Sequence, residues 1–291
     1  MRRALRYSLL RAVAFPLSYL PLRWVSRLGA WGGRVYGRLA QGERKKALES
    51  LAIAFPEKTP QEHEALADAC FQHLGRAGGE LLRLQRCDGA IEKTVTWDAT
   101  EQAALKEILG RGGVVLVTAH LGSWEMLGRR IGLTCHPMSA VARVAPDPLT
   151  TRWIERVRAR ANVRTLWRGA EGSARGMLAT LRGGGILTML IDQDTKVQSF
   201  FVPFFGRLAS TPRAAADLAL RTGAAVATGF CFWVAPGRYR LEVREQLVMR
   251  TDDAEADAAR LTGQLTHAIE AAIRRAPEQW VWMHRRWKTQ P

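Results

Sequence analysis

Residues 112–126 read Gly-Gly-Val-Val-Leu-Val-Thr-Ala-His-Leu-Gly-Ser-Trp-Glu-Met. Val114 to Thr118 is a continuous, mostly β-branched run after paired glycines, the composition of a strand covered on both faces of a sheet. A small-residue turn follows, and Trp124-Glu125 opens a helical stretch. Strand, turn and helix are therefore expected in succession, with His120 at the strand's C-terminal end, where α/β sheets carry their chemistry.

Outward from this segment the same alternation continues. Ile186 to Ile191 forms a second apolar run after the glycines at 183–185 and ends at Asp192-Gln193-Asp194. Ala224 to Val234 predicts another strand, preceded by a helix over 213–221 that Thr211-Pro212 caps and Gly223 ends. Tyr239 to Val248 alternates apolar and polar residues, as a half-exposed strand near an edge does, and Ala254 to Arg275 has helical spacing. Upstream, Thr59, Pro60 and Glu62 form an N-cap, first-turn proline and capping box for a helix reaching Leu84. Asp98 to Leu109 predicts a shorter helix stopped by glycines. The pattern predicts an α/β fold, a mixed and largely parallel central sheet flanked by helices, as one domain over 41–291.

Residues 1–40 differ in kind. Leu9, Leu10, Val13, Phe15, Leu17, Leu20, Trp24 and Trp31 alternate with Arg11, Pro16, Pro21 and Arg23, which break the apolar run well short of the roughly 20 residues a spanning helix needs. The segment is expected to lie on a membrane rather than cross one, its arginines and tryptophans suiting the interface. An amphipathic helical pair folded onto the core explains the same residues, with the prolines marking a turn.

Forty-three Lys and Arg against 27 Asp and Glu leave a formal charge of +16 over 291 residues. That is too large for an ordinary enzyme of small neutral metabolites and points to an anionic partner: nucleic acid, an anionic membrane face, or an acidic carrier with a phosphorylated lipid. No RRM, zinc-finger or OB signature supports nucleic acid. Cys70, Cys87, Cys135 and Cys231 are scattered without a CxxC pair, so neither a zinc site nor a disulfide framework is expected.

The chemistry concentrates in His120 and Glu125. In a continuous helix five residues turn about 500°, which separates the two side chains. With His120 in the turn, the first helical turn is expected to bring Glu125 beneath its imidazole, holding one tautomer while the other nitrogen removes a proton from an attacking hydroxyl. The plainer alternative is a His that caps the helix and a Glu in solvent. Ser123 lacks a G-x-S-x-G elbow, and metal binding at His120 and Glu125 would need a third ligand such as Asp192 or Asp194 and has no H-E-x-x-H spacing to support it, so no metal is expected.

Four ordered elements then become recognisable: the H-x4-E of His120 to Glu125, Asp192-Gln193-Asp194, Phe201-Val202-Pro203-Phe204-Phe205-Gly206, and the closing Pro277 to Lys288 with its three tryptophans. Together, and over nearly the whole chain, they resemble the late acyltransferases of bacterial lipid A biosynthesis, within the lysophospholipid acyltransferase superfamily. The resemblance implies a glycerolipid acyltransferase-like fold and transfer of an acyl chain, from an acyl carrier protein thioester, to a hydroxyl of an acyl chain on a lipid A precursor. It implies work at the cytoplasmic face of the bacterial inner membrane and no cofactor. The family's H-x4-D/E pair maps onto His120 and Glu125, and its arginine in a Y-R-P-like element onto Arg143, though Val141-Ala142-Arg143-Val144 lacks the tyrosine and the proline.

Asp147-Pro148-Leu149 matches the family's N-P-L element and opens a basic helix with Arg152, Arg156, Arg158 and Arg160. Arginines 152, 156 and 160 form one stripe suited to phosphates or an acidic carrier, or simply a solvated face. Arg143, Arg158, Asp192 and Asp194 are the candidate substrate-binding residues; strand-end aspartates also serve as caps. The phenylalanines around Pro203 suit an acyl path or plain core, and Trp280, Trp282 and Trp287 suit a membrane interface or packing on the sheet. His63, His73, His136, His267 and His284 read as structural or surface residues. Two rivals stand beside this reading: an acyltransferase acting on a glycerophospholipid or other amphiphile, and a non-enzymatic nucleic-acid binder justified by charge alone.

Overall fold

The computed structural model describes residues 17, 19–84, 88–145 and 147–291. From Leu22 onward the described chain runs through α1 (Leu22–Leu39), α2 (Gln41–Ala54) and α3 (Pro60–Arg83). After the short strand β1 (Val95–Trp97), helix and strand alternate through α4 (Ala99–Arg111), β2 (Val114–Thr118), α5 (Trp124–Thr134), β3 (Met138–Ala142), α6 (Pro148–Ala159), β4 (Val163–Trp167), α7 (Ser173–Arg182) and β5 (Ile186–Leu190). A hairpin of β6 (Ser199–Phe204) and β7 (Arg207–Pro212) precedes α8 (Ala214–Thr222), the antiparallel pair β8 (Ala225–Ala235) and β9 (Arg238–Gln246), and α9 (Ala254–Arg275).

Seven strands form one sheet in the order β1-β9-β8-β2-β5-β3-β4, every neighbouring pair parallel except β8 with β9. The expected mixed, largely parallel sheet is the observed one. β2 lies at its centre with all its residues buried. Val115 and Val117 join a core that includes Leu181, Ala215, Leu261 and Trp280, while Val114 and Leu116 join Leu105, Leu127, Ile131 and Val157 on the other face. This two-sided burial is why the strand reads as an unbroken apolar run.

Several helix starts follow the capping chemistry written in the sequence. Thr59 and Glu62 exchange the two bonds of a capping box, and Asp98, Asp147 and Asp253 accept from the first-turn amides of their helices. One expectation changes: Thr211 and Pro212 belong to β7 rather than capping α8. β9 lies near the edge as expected, with β1, only three residues long and too short to show a period, pairing outside it along Tyr239 to Leu241.

The aromatic clusters resolve as core. Phe204, Phe205, Trp280, Trp282 and Trp287 are buried and stack on one another, while Phe201 is exposed. The tryptophans therefore do not present themselves to a membrane, and Phe204 and Phe205 line no open path.

Among the described residues no helix is long and apolar enough to cross a membrane. Residues 1–16 and 18, with Leu9, Leu10, Arg11 and Val13, lie outside the described residues, as does Cys87. α1 is pressed onto α3 at glycines: a Cβ on Gly29 would overlap the carbonyl of Gly75, and one on Gly33 that of Phe71. Trp24, Leu28, Trp31, Val35 and Leu39 remain exposed, Trp31 by 68% and Leu39 by 76%.

Candidate active site

The turn after β2 is fixed from several directions. Gly122 has φ of 62°, and a Cβ there would overlap the carbonyl of Cys231, so the chain passes β8 at backbone contact. The Gly122 amide donates to Gln279 O at 3.0 Å, the Ser123 amide to Cys231 O at 2.7 Å, and His73 Nε2–H to Gly122 O at 3.1 Å. Burial pushes the His73 imidazole down to about 4, which keeps it neutral and able to donate.

His120 sits in this turn, but its partner is not Glu125. Asp192, at the end of β5, places Oδ1 2.9 Å from His120 Nδ1 and accepts the His120 backbone N–H on Oδ2 at 2.8 Å. Trp280 Nε1–H donates to the same Oδ2 at 2.8 Å. Burial alone would raise the Asp192 carboxyl, yet His120 and these donors bring it down to about 2. An ionised Asp192 accepts a hydrogen bond from Nδ1–H and leaves Nε2, which no described residue bonds, as the nitrogen open to take a proton. The expected His120–Glu125 hydrogen bond is thus corrected, for physical reasons. β2 and β5 are parallel neighbours in register, which delivers Asp192 to the turn, whereas Glu125 has already entered α5.

Glu125 instead meets Arg158 of α6 side by side, Arg158 Nε donating to Oε2 at 3.1 Å and Nη2 to Oε1. Both are largely buried, and Arg158 Nη1 has no partner among the described residues. The pair lines a narrow, mostly apolar cavity between α5, α6 and the sheet. Trp124 lines it too, and its ring stands edge-on to that of His120 with centroids 5.1 Å apart.

The other candidates are placed apart from this pair. Asp194 is buried and accepts from the Thr289 amide at 3.0 Å with Lys288 facing it, which ties down the C-terminal segment. Arg143 follows β3, exposed and without a hydrogen bond or ion pair among the described residues. Arg152 and Arg160 are exposed on α6, and Arg156 donates to Arg152 O. No hydrogen bond joins Ser123 to His120, and no described group of three His, Cys, Asp or Glu side chains converges. Burial pushes the Cys70 thiol up to about 12 and raises that of Cys231 as well, so neither is a nucleophile at neutral pH. Asp192, expected as a substrate-binding residue, is instead the partner of His120, and His73 is the supporting residue that local sequence did not reveal, because it reaches the turn from a distant element.

The family described as bacterial lipid A biosynthesis acyltransferase matches residues 1–289. The chain is 30% identical to the lipid A biosynthesis palmitoleoyltransferase of Escherichia coli strain K12, over 84% of this chain and 78% of that protein. It is 28% identical to the lipid A biosynthesis lauroyltransferase of the same organism, over 94% and 88%. A phosphatidylinositol mannoside acyltransferase of Mycolicibacterium smegmatis is 27% identical over 60% of this chain and 57% of that protein. With the fold and a paired histidine at the sheet's C-terminal edge already in place, the match across nearly the whole length means that the chain belongs to the bacterial lipid A biosynthesis acyltransferases and is an acyltransferase.

Proposed function

We propose that the chain moves a fatty acyl group from an acyl carrier protein thioester to a hydroxyl on an acyl chain of a lipid A precursor. The observation that carries this reading is His120 with Nδ1 held by Asp192 and Nε2 free, next to Trp124 at a cavity flanked by Glu125 and Arg158. His120 Nε2 takes the hydroxyl proton as the oxygen attacks the thioester carbonyl. The C–O bond forms, the C–S bond breaks, and the proton passes from the imidazolium to the departing sulfur. Glu125 keeps Arg158 charged and in place, and Arg158 Nη1 is the donor available to the carbonyl oxygen as charge develops on it. A thioester brings its own activation, so this chemistry calls for no cofactor or metal.

The exposed arginines of α6 and Arg143 suit an acidic carrier or the phosphates of the precursor. The exposed stripe of α1, flanked by Arg23, Arg27, Arg34 and Arg38, suits an anionic bilayer surface, and we place the enzyme at the cytoplasmic face of the inner membrane. The test is transfer of labelled acyl groups from carrier thioester to a tetraacylated precursor, with His120→Ala as control. Transfer that His120→Ala abolishes supports the reading. Transfer to lysophospholipid and none to the precursor favours the second reading, a glycerophospholipid acceptor, for which the likeness to a phosphatidylinositol mannoside acyltransferase is the observation.

A further inference from the structure

Strand alternation sorts the β6–β7 hairpin into two faces. Val202, Phe204, Ala209 and Thr211 are buried, and Phe200 packs against the core beside them. The opposite face of such a pair is ordinarily polar, since it meets water. Here it carries Phe201, exposed by 38%, exposed Pro203, and Leu208, exposed by 46%, and the register sets Pro203 directly across from Leu208. Three apolar side chains thus stand together on the outside of the molecule.

The hairpin holds that face rigidly. Its turn is Phe205-Gly206, both with positive φ, 50° and 74°, the two-residue geometry that matches the twist of the strands. Phenylalanine is a costly residue at such a φ, and burial offsets the strain. The Phe205 ring packs against Phe55 at the end of α2 and against Trp282, and its N–H donates to Glu270 Oε2 at 2.6 Å. On the inner face the Phe204 ring lies 5.7 Å from that of Trp280, whose Nε1–H donates to Asp192. One indole therefore separates the hairpin from the carboxylate that holds His120.

Edges and charge decide what can cover the outer face. In a two-residue hairpin Phe204 and Arg207 form the hydrogen-bonded pair beside the turn, so alternation directs the backbone of Phe201, Pro203, Ser210 and Pro212 away from the partner strand. Each outer edge thus carries a proline without an N–H, and Arg286 already donates to Ser210 O. Neither edge is suited to pairing with a strand of another protein. No Asp or Glu occurs from residue 195 to 213, whereas Lys196 and Arg207 are exposed and make no ion pair among the described residues; Arg213 is held by Asp217 and Glu255. An apolar face rimmed by unpaired cations complements an anionic lipid surface.

We propose that the outer face of the β6–β7 hairpin, Phe201, Pro203 and Leu208 between Lys196 and Arg207, is a second contact with an anionic bilayer, independent of α1. The inference rests on the reading above that the acceptor is a lipid of such a bilayer. α2, 14 residues and about 21 Å long, separates the end of the α1 stripe at Leu39 from Phe55, on which the hairpin turn rests. Two contacts that far apart fix the orientation of the molecule on the surface as well as its attachment.

The test is co-sedimentation of the full-length protein with vesicles of phosphatidylethanolamine and phosphatidylglycerol in equal parts, and with vesicles of phosphatidylcholine alone, beside acyl transfer to the precursor in the same vesicles. Phe201→Ser combined with Leu208→Ser is expected to weaken partition into the anionic vesicles about ten-fold, two apolar side chains being lost from the interface. Lys196→Gln combined with Arg207→Gln is expected to reduce the preference for anionic vesicles about five-fold or more. Leu208→Trp is expected to tighten partition several-fold, a gain that misfolding does not produce. Binding by wild type with unchanged partition in all three variants overturns the hairpin contact alone. No binding by wild type overturns the membrane placement and the contact with it. Self-association that Phe201→Ser with Leu208→Ser abolishes while partition stays unchanged assigns the face to a second copy of the chain and overturns the proposal. Absence of acyl transfer from a wild type whose variants still differ in partition counts against the acyl-transfer reading and supports the contact.

Discussion

Asp192, 72 residues downstream of His120, holds that residue at two points, ring Nδ1 on one carboxylate oxygen and backbone N–H on the other. One side chain therefore fixes both the tautomer of the imidazole and the position of the turn that carries it.

Asp192→Asn is expected to lower kcat by about 100-fold or more with KM little changed, since general-base help is worth that much and the amide no longer enforces a protonated Nδ1. Steady-state kinetics on a variant with wild-type circular dichroism checks this. An unchanged kcat would mean that His120 is not the base.

Breaking the Glu125–Arg158 pair from one side leaves a largely buried charge unmet. Arg158→Leu or Glu125→Leu alone should lower stability by about 3 kcal/mol, with the double variant losing less than the sum. Urea denaturation of the four proteins measures the coupling, and both single variants should also lose activity.

Gly122→Ala asks an L residue to take φ of 62° and to overlap Cys231 O. A loss of about 2 kcal/mol or more follows, together with displacement of His120 from Asp192. Thermal unfolding and activity should fall together; a variant as stable as wild type would contradict this account of the turn.

Burial pushes the Glu80 carboxyl up from 4.5 to about 7, an effect that Tyr239, Ser26 and Arg76 around it offset only in part. Because the folded value is the higher one, its contribution to stability is complete below 4.5. It declines as pH rises, since the unfolded chain ionises first, and is gone above about 7. The loss is on the order of 3 kcal/mol. Glu80→Gln should flatten this slope and raise the urea midpoint most on the alkaline side of the window.

Trp31→Glu and Leu28→Glu, on the exposed stripe of α1, should leave stability within about 0.5 kcal/mol of wild type and weaken sedimentation with anionic vesicles several-fold. Equal sedimentation would remove α1 from the proposed membrane contact.

How much of this was legible in the sequence depended on range. β2, β5, α3 and α9 announced themselves because their signals are local: a two-sided apolar run, a capping box, an amphipathic period. β3 and β4 did not, since Met138–Ala142 and Val163–Trp167 are short and mix Ser, Thr and Arg among their apolar residues. The site shows the same division. His120 was legible from its place after β2, whereas its carboxylate was assigned to Glu125, five residues on, because nearness in sequence was the available guide. Parallel pairing of β2 with β5 puts Asp192 there instead, and no local pattern encodes which strands become neighbours.

The glycine crossing of α1 and α3 has a mechanical consequence. With backbone against backbone at Gly29, Gly33 and Gly75, the helices touch at their crossing without side chains to absorb a shear there, and α3 carries His73, which grips the Gly122 carbonyl beside His120. A torque on α1 is thus transmitted along a stiff linkage of two helices and one imidazole, and whatever seats the Trp24–Leu39 stripe also aims the base.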